Sequence, residues 1–328
     1  MIKDILSQMV QNELNNKRVL VLGDVMVDEY IIGKVTRISP EAPIPVLNYR
    51  NNELTAGGAG NVAINLKELG CKVELCSVVG DDQYGKWLKE YFSDNGVGTS
   101  AVFAEKGRPT TLKQRYATKN QQLLRVDAET TDDISYKTKQ MVIDYLERNI
   151  SKLNAIVISD YTKGMVVDGE FVQKIIQLAV KHDVIVGIDS KSTNISAFKD
   201  ATFVKPNNLE LEHAVAIKIE DDESLNNAGM TYLNKCGANA LIVTRGAAGI
   251  SIFRPNMKRK DFASKAVQVY DVTGAGDTVI STISLALACG INMEDALILA
   301  NYAASVVISK IGTAAISITE LMECGNEK

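Results

Sequence analysis

The chain predicts an α/β fold: a doubly wound, mostly parallel central sheet with helices on both faces, and a small β-sheet lid. Three observations carry this. Near-continuous apolar runs such as Arg18-Val19-Leu20-Val21-Leu22-Gly23-Asp24 suit strands buried on both faces. They alternate with segments of helical apolar spacing, the βαβ pattern that winds a sheet right-handedly. Two stretches, about 31–55 and 99–128, interrupt the alternation and are assigned to the lid. All 328 residues are expected to form one domain with these lid segments inserted in it.

In order, Ile2, Ile5, Leu6, Met9, Val10 and Leu14 stand at helical spacing, so a short amphipathic helix should pack on the body. Strand 18–24 ends in Gly23-Asp24-Val25-Met26-Val27-Asp28. Acidic groups at the carboxyl end of a central strand fall where α/β sheets bind ligands. Pro40, Pro43 and Pro45 suit edge strands and loops, which places 31–52 in the lid. Gly57-Gly58-Ala59-Gly60-Asn61 opens a helix carrying Val62, Ala63, Leu66 and Leu69. A strand at 72–79 turns through Gly80-Asp81-Asp82 into a helix over 84–95. In the second lid stretch, 110–117 and 121–127 read as short strands around Thr118-Lys119-Asn120. Beyond it come helix 136–150, strand 155–159, helix 168–182, strand 184–189, strand 202–205 and a helix to about 216. Helix 223–236, strand 240–244 and a hairpin strand 250–253 follow. An extended run at 267–270 leads into Asp271-Val272-Thr273-Gly274-Ala275-Gly276-Asp277, and then helices 278–289 and 293–311.

Lys and Arg total 36 against 40 Asp and Glu, a net charge of −4, which points to neither a nucleic-acid nor a membrane partner. No apolar run approaches the roughly 18 residues that span a bilayer, and no signal peptide is visible, so the chain reads as cytoplasmic. Cys71, Cys76, Cys236, Cys289 and Cys324 form no CxxC pair and suit buried free thiols in a reducing compartment. His182 and His213 are expected on helix surfaces or ends, without a role.

The stretch 271–277 carries most of the chemistry. A glycine-rich turn before a helix aims several backbone N–H groups at one spot, and the helix dipole adds roughly half a positive charge there. Gly274, Ala275 and Gly276 thus predict an anion hole, with Asp277 at its mouth. A carboxylate beside developing negative charge suits proton removal from an attacking hydroxyl, so phosphoryl transfer with Asp277 as base is the first hypothesis. A favourable first-turn charge beside an ordinary glycine turn is the competing reading. No Gly-Lys-Ser/Thr follows, so this is no Walker A loop, and no third glycine completes a GxGxxG fingerprint.

Polar loops follow strands at 24–28, 160–164, 189–191, 205–210, 244–249 and 271–277, and such loops gather on one sheet edge. That edge would hold Asp28, Asp160, Glu210 and Asp277, the cations Lys163, Lys191 and Arg245, and glycine-rich turns. A nucleoside triphosphate, its magnesium and a hydroxyl acceptor need about this set. Asp28 and Asn61 suit sugar hydroxyls, or a solvated loop carboxylate and a capping amide in a tight turn. Lys113, Arg115 and Arg125 alternate at period two on one lid face. They suit a phosphate already on the substrate, or a solvated charged face.

Three motifs now resemble those of the PfkB-type (ribokinase-like) sugar kinases, in the family's order and along nearly the whole chain. They are Gly57-Gly58-Ala59-Gly60-Asn61-Val62-Ala63, Asn207-Asn208-Leu209-Glu210 and Asp271 to Asp277. Within that family, the stretches 23–28, 37–46 and 120–127 and Ser159-Asp160-Tyr161-Thr162-Lys163-Gly164 are similar to heptose 7-phosphate kinases. Val272 and Gly60 are conservative departures from the common pattern.

The resemblance implies a ribokinase-like fold and ATP- and Mg2+-dependent phosphorylation of the anomeric hydroxyl of D-glycero-β-D-manno-heptose 7-phosphate. The 1,7-bisphosphate formed is a precursor of ADP-heptose for lipopolysaccharide or related surface glycans. Asp277 matches the catalytic base, and Gly274, Ala275 and Gly276 the anion hole. Asn207, Asn208, Leu209 and Glu210 match the segment near ATP phosphates and magnesium, with Asn207 and Glu210 as metal candidates. Asp28, Gly57, Gly58 and Asn61 match sugar-binding positions, and Lys113, Arg115, Asn120, Asp160 and Lys163 are carried over to the substrate side. Thr244, Arg245, Gly246, Gly249 and Asn301 match the nucleotide side, to which Lys191 is added. A monovalent cation beside Asp271 and Thr273 is left open. A homodimer through the lids is implied, and adenylyl transfer is expected to need a separate protein, because no Gly-His pair of the nucleotidyltransferase kind occurs. The rivals are another PfkB kinase acting on a fructose, ribose or nucleoside hydroxyl, and a catalytically silent sugar-binding regulatory protein.

Overall fold

Alternation within the first strand sets the layers. In β1 (Arg18–Gly23), Val19 and Val21 face one core while Leu20 and Leu22 face the other. A strand buried on both faces must lie inside a sheet covered on both sides. The computed structural model describes residues 1–264, 271–310 and 315–324. The extended run expected at 267–270 lies outside the described residues.

Around β1 the elements are α1 (Ile2–Gln11), β2 (Val25–Ile38), β3 (Pro45–Gly58), α2 (Ala59–Glu68), β4 (Lys72–Gly80), α3 (Gln83–Asp94), β5 (Gly98–Glu105), β6 (Leu112–Ala117) and β7 (Gln122–Ala128). Then come α4 (Tyr136–Asn149), β8 (Ala155–Asp160), α5 (Gly169–Lys181), β9 (Ile185–Ser190), β10 (Phe203–Val204), α6 (Asn208–Val215) and α7 (Asp222–Cys236). The chain continues with β11 (Leu241–Thr244), β12 (Ile250–Phe253), β13 (Lys260–Phe262), α8 (Ala275–Ala288), α9 (Met293–Val307) and α10 (Ile318–Cys324).

The large sheet has the order β13-β12-β11-β10-β9-β8-β1-β4-β5. Its pairs are parallel from β5 to β11 and antiparallel only where β12 and β13 pair on. One core packs α1, α2, α3, α8 and α9 on the face of Val19 and Val21, and the other packs α4 to α7 on the face of Leu20 and Leu22. In α1, Ile5, Leu6 and Met9 are buried as the spacing requires, whereas Val10 is left exposed. Cys71, Cys76, Cys236 and Cys289 are buried free thiols. No helix among the described residues is long and apolar enough to cross a membrane.

The second sheet, β3-β2-β6-β7, is the lid. Its extent differs from the expectation at both places. β2 joins it from Val25 and β3 stays in it to Gly58, so the first lid segment is longer than 31–55. β5, expected in the lid, instead pairs parallel with β4 at the edge of the large sheet. The reason is burial on both faces: Ala101 packs into one core and Val102 into the other. Only β6 and β7 of the second stretch belong to the lid.

Candidate functional site

The parallel strands deliver their carboxyl ends to one edge, and a buried carboxylate fixes the loops there. Asp24, between β1 and β2, accepts N–H bonds from Tyr161 (2.9 Å), Lys163 (3.0 Å) and Met165 (3.0 Å). Burial raises its pKa in spite of those donors and nearby Arg108. The loop after β8 is thereby held against the root of the lid.

Gly274 adopts φ +82° and caps α8, a conformation that a side chain at this position would resist. The helix starts at Ala275, three residues before the expected 278, so Asp277 lies inside its first turn. The Asp277 carboxylate is buried and held from two sides. Its Oδ2 accepts from Asn61 Nδ2 at 2.6 Å and its Oδ1 from the Tyr161 hydroxyl at 3.3 Å. Asn61 is itself oriented, since Asn65 Nδ2 donates to its side-chain Oδ1 at 3.4 Å and to its main-chain carbonyl at 2.9 Å, and the Thr278 hydroxyl donates to Asn65 Oδ1 at 2.9 Å. Burial first, and then the Asp189 charge, push the Asp277 pKa up to about 6 against the opposing effects of Asn61, Lys205 and Tyr161. A carboxylate so tuned takes a proton more readily than an ordinary aspartate and is still ionised near neutrality.

Lys205 follows β10 with its side chain 3% exposed, and its Nζ pairs with Asp189 at the end of β9 at 2.9 Å. Burial opposes its charge, but Asp189, Glu210 and Asp277 outweigh burial and raise its pKa. Glu210 closes a capping box at the start of α6: its carboxylate accepts from the Asn207 N–H at 2.8 Å, and Asn207 Oδ1 accepts from the Glu210 N–H at 2.9 Å. Burial and then Asp189 raise the Glu210 pKa. Carboxylates crowded in this way are relieved by a cation or an added proton.

Two cavities meet here. A polar one of about 230 Å³ is lined by Asp189, Lys191, Lys205, Glu210, Gly276 and Asp277. A largely apolar one of about 510 Å³ runs from it past Gly246, Gly249 and Ile250 to Val279, Asn301 and Ile308. They share Asn207, Thr244 and Gly276. A flat apolar group can therefore occupy one cavity while an attached anion reaches the cations and helix N-terminus of the other.

Of the residues expected on the nucleotide side, Thr244, Gly246, Gly249 and Asn301 line the apolar cavity, and Lys191 lines the polar one. Arg245 turns away to Asp261 at 3.4 Å, Leu209 is exposed, and Asn208 Oδ1 is buried without a hydrogen-bond partner. Asp160 borders the polar cavity, yet its carboxylate accepts from Ser190 Oγ at 2.5 Å and the Thr162 N–H at 2.7 Å. Burial, then Asp24 and Asp189, push its pKa up to about 6.

The lid residues gather separately. Arg115 pairs with Asp28, and a methyl on Gly57 would stand 2.5 Å from Asp28 Oδ2, so a side chain there would displace this carboxylate. Gly58 adjoins it, pairing with Val25 at the end of β3. Lys113 bonds Asp127 at 3.2 Å and Glu129 at 3.1 Å, and Lys163 reaches Glu129 at 2.6 Å. Asn120 is exposed in the turn between β6 and β7, at the end of the lid remote from the cavities. Asn61 points its amide at Asp277, where a sugar contact was expected.

Four residues escaped the sequence reading as site members: Asp24, Tyr161, Asp189 and Lys205. Three left a signal, a single charge closing the apolar runs Val19-Leu20-Val21-Leu22-Gly23-Asp24, Val186-Gly187-Ile188-Asp189 and Phe203-Val204-Lys205. A charge placed there costs burial energy unless it is paired.

Residues 16–320 match the family described as pfkB family carbohydrate kinase. A protein of Geobacter sulfurreducens named Bifunctional protein HldE is 40% identical over 303 residues, which is 92% of this chain and 62% of that protein. One of the same name from Nitratiruptor sp. is 41% identical over 306 residues, 93% of this chain and 64% of that protein. The chain thus spans less than two thirds of the length of these relatives. Among solved structures, Arabidopsis thaliana ribokinase complexed with ribose and ATP superposes with a TM-score of 0.76 at 19% identity, covering 95% of this chain and 99% of that one. Escherichia coli phosphofructokinase-2 in complex with potassium gives 0.74 at 19% identity, covering 94% and 97%. The fold is ribokinase-like, and the chain belongs to the pfkB family of carbohydrate kinases, phosphotransferases with an alcohol group as acceptor.

Proposed function

We propose that the chain is an ATP-dependent kinase that phosphorylates the anomeric hydroxyl of D-glycero-β-D-manno-heptose 7-phosphate, giving the 1,7-bisphosphate. The observation that carries the reaction is the Asp277 carboxylate, buried in the first turn of α8 and held by Asn61 and Tyr161 where the two cavities meet. The choice of sugar rests on the relatives named HldE and on the likeness of the lid and 159–164 stretches to heptose 7-phosphate kinases. The apolar cavity suits adenine and ribose, and the polar one suits the phosphates.

In the transfer, Asp277 takes the proton of the anomeric hydroxyl as that oxygen bonds to the γ-phosphorus. The bond from γ-phosphorus to the bridging oxygen breaks, and ADP leaves with that electron pair. Backbone N–H groups of residues 274–276 meet the charge growing on the phosphoryl oxygens, and one such donor is typically worth about 2.7–4 kcal/mol. Magnesium suits the Glu210 side of the polar cavity, where Glu210 and Asp189 crowd each other. Glu210, with Asn207 beside it, would hold the ion, which supplies charge neutralisation to the phosphates. Lys113, Arg115 and Lys163 would take the 7-phosphate by exchanging their carboxylate partners.

The test is ADP release against a panel of sugar phosphates and free sugars, with the new phosphate located by phosphorus NMR. Turnover confined to the heptose 7-phosphate, with phosphate at the anomeric carbon, is expected. Faster turnover on fructose 6-phosphate or ribose would overturn the sugar assignment and leave Asp277 in place. A homodimer is part of the same reading, since Ile38, Tyr49 and Leu124 expose apolar surface on the lid. Light scattering after size exclusion should give twice the 35.7 kDa chain mass, and a monomer would remove that part.

A further inference from the structure

We propose that Tyr161 is a positioning residue that ties the base to the phosphate side of the site: its hydroxyl steers Asp277 while its ring seats Lys191. The inference rests on the reading of Asp277 as the base.

Tyr161 is placed from behind. Its N–H is bound to the buried Asp24 at 2.9 Å, which anchors the residue at the root of the lid. From there its hydroxyl reaches Asp277 Oδ1 at 3.3 Å, and the Lys191 Nζ lies 4.0 Å from its ring centroid. One side chain therefore touches the proton acceptor and a cation of the same cavity.

The hydroxyl acts as a donor. Burial first, then the charges of Asp277 and Asp189, hold its pKa well above the ordinary tyrosine range, so it keeps its proton at any working pH. Asn61 holds one carboxylate oxygen and Tyr161 the other, which fixes the plane of the carboxylate and leaves each oxygen a further lone pair. A carboxylate held in plane meets an acceptor hydroxyl with little reorganisation. The charged groups facing Asp277 in this cavity are Asp189, Lys205, Glu210 and Lys191, with Asp160 beside Tyr161.

Lys191 differs from Lys205. Lys205 is neutralised by Asp189, whereas among the described residues Lys191 has no carboxylate within ion-pairing distance and rests on the aromatic face. A cation over a ring is held by the ring's quadrupole without loss of its charge. It stays available to an incoming phosphate.

The two roles separate by substitution. Tyr161→Phe removes the hydroxyl and keeps the ring, while Tyr161→Leu removes both. In protein labelled with carbon-13 at aspartate carboxyls, with the Asp277 resonance assigned by Asp277→Asn, the Asp277 titration should move up by roughly half a pH unit in Tyr161→Phe. The acid limb of kcat should move with it, and the Kd for ATP by calorimetry should stay within about twofold. Tyr161→Leu should add a several-fold weaker Kd for ATP. An unmoved Asp277 titration in Tyr161→Phe overturns the steering role, and equal ATP binding by the two variants overturns the seating role. If Asp277→Asn keeps full turnover, the base reading falls instead, and the carbon titration still reports whether Tyr161 acts on Asp277.

Discussion

The carboxyl edge of the large sheet and the lid are both rich in charge, yet they hold it in opposite ways. At the sheet edge Asp24, Lys205 and Asp277 are buried, and rigid elements fix their partners. At the lid the charges form an open chain, Arg125 to Asp127 to Lys113 to Glu129 and on to Lys163 of the loop after β8, with side chains 16–23% exposed apart from the 51% of Arg125. Burial strengthens an interaction and raises the cost of losing one partner. Partly exposed pairs are worth less and exchange partners easily. The difference teaches a division of labour. On the proposed reading, the reacting groups sit on a preorganised floor, and the lid offers cations whose present carboxylates a substrate phosphate would displace.

The largest test of that division is Asp277→Asn. Base catalysis of this kind supplies roughly 100- to 10,000-fold, so kcat should fall by that factor while ATP binding persists by calorimetry. Retained turnover would move the chemistry off the floor. The pH dependence sharpens the point. Asp277 accepts a proton only when ionised, and its pKa is pushed up to about 6, so kcat should decline as pH falls through 6. The stability sign is opposite. The folded pKa lies above the ordinary value of 3.8, so ionisation of Asp277 costs the fold as pH rises from about 4 to 6, and that cost persists above 6. Asp277→Asn should therefore gain stability relative to the parent as pH rises from about 4 to 7, read by urea midpoints. A difference independent of pH would show that the carboxylate is not strained by burial.

Next in size is Lys205→Met. It leaves Asp189 without its partner, and breaking a buried pair costs about 3–5 kcal/mol. Asp189 keeps 17% exposure, which lets water share the loss and favours the lower end of that range. Urea unfolding should show the midpoint falling with an unchanged slope. A loss below about 1 kcal/mol would place this pair in the same class as the lid pairs and remove the contrast.

These positions also show what the sequence discloses. β1, the alternation of strands and helices and the turn 271–277 were legible because their signals are local: apolar runs, 3.6-residue spacing, and glycines before a helix. The capping box of Asn207 and Glu210 spans three residues and was within reach for the same reason. The Asp24 contacts were not, since they join residues 137 to 141 apart and depend on β1 lying beside β8. Lys205 and Asp189 pair only because β9 and β10 are neighbours. Asn61 kept two readings open until α2 and α8 were seen to pack, bringing its amide onto Asp277. β5 failed for a different reason: its apolar run, Ala101-Val102-Phe103-Ala104, is short and flanked by polar residues, and only the burial of Ala101 and Val102 on opposite faces distinguishes a main-sheet edge from a lid strand.

The smallest expected effect on the fold belongs to Lys113→Met, and it is the most specific to the lid. Lys113 bridges Asp127 and Glu129 in a partly exposed setting, and such pairs contribute about 0–1 kcal/mol each. Stability should change by no more than about that amount, because Asp127 keeps Arg125 and Glu129 keeps Lys163. Binding should respond more. A substrate phosphate entering this sheet would lose one of its charge-assisted bonds, and such bonds are worth about 1.5–3 kcal/mol, so KM for a phosphorylated sugar should rise roughly tenfold or more. The KM for ATP and the kcat should hold, since the floor is untouched. An unphosphorylated sugar, which makes no demand on Lys113, should show no change in KM. Equal changes for the two sugars would mean that Lys113 shapes the lid without meeting a phosphate, and the exchange of partners would then have to rest on Arg115 and Lys163 alone.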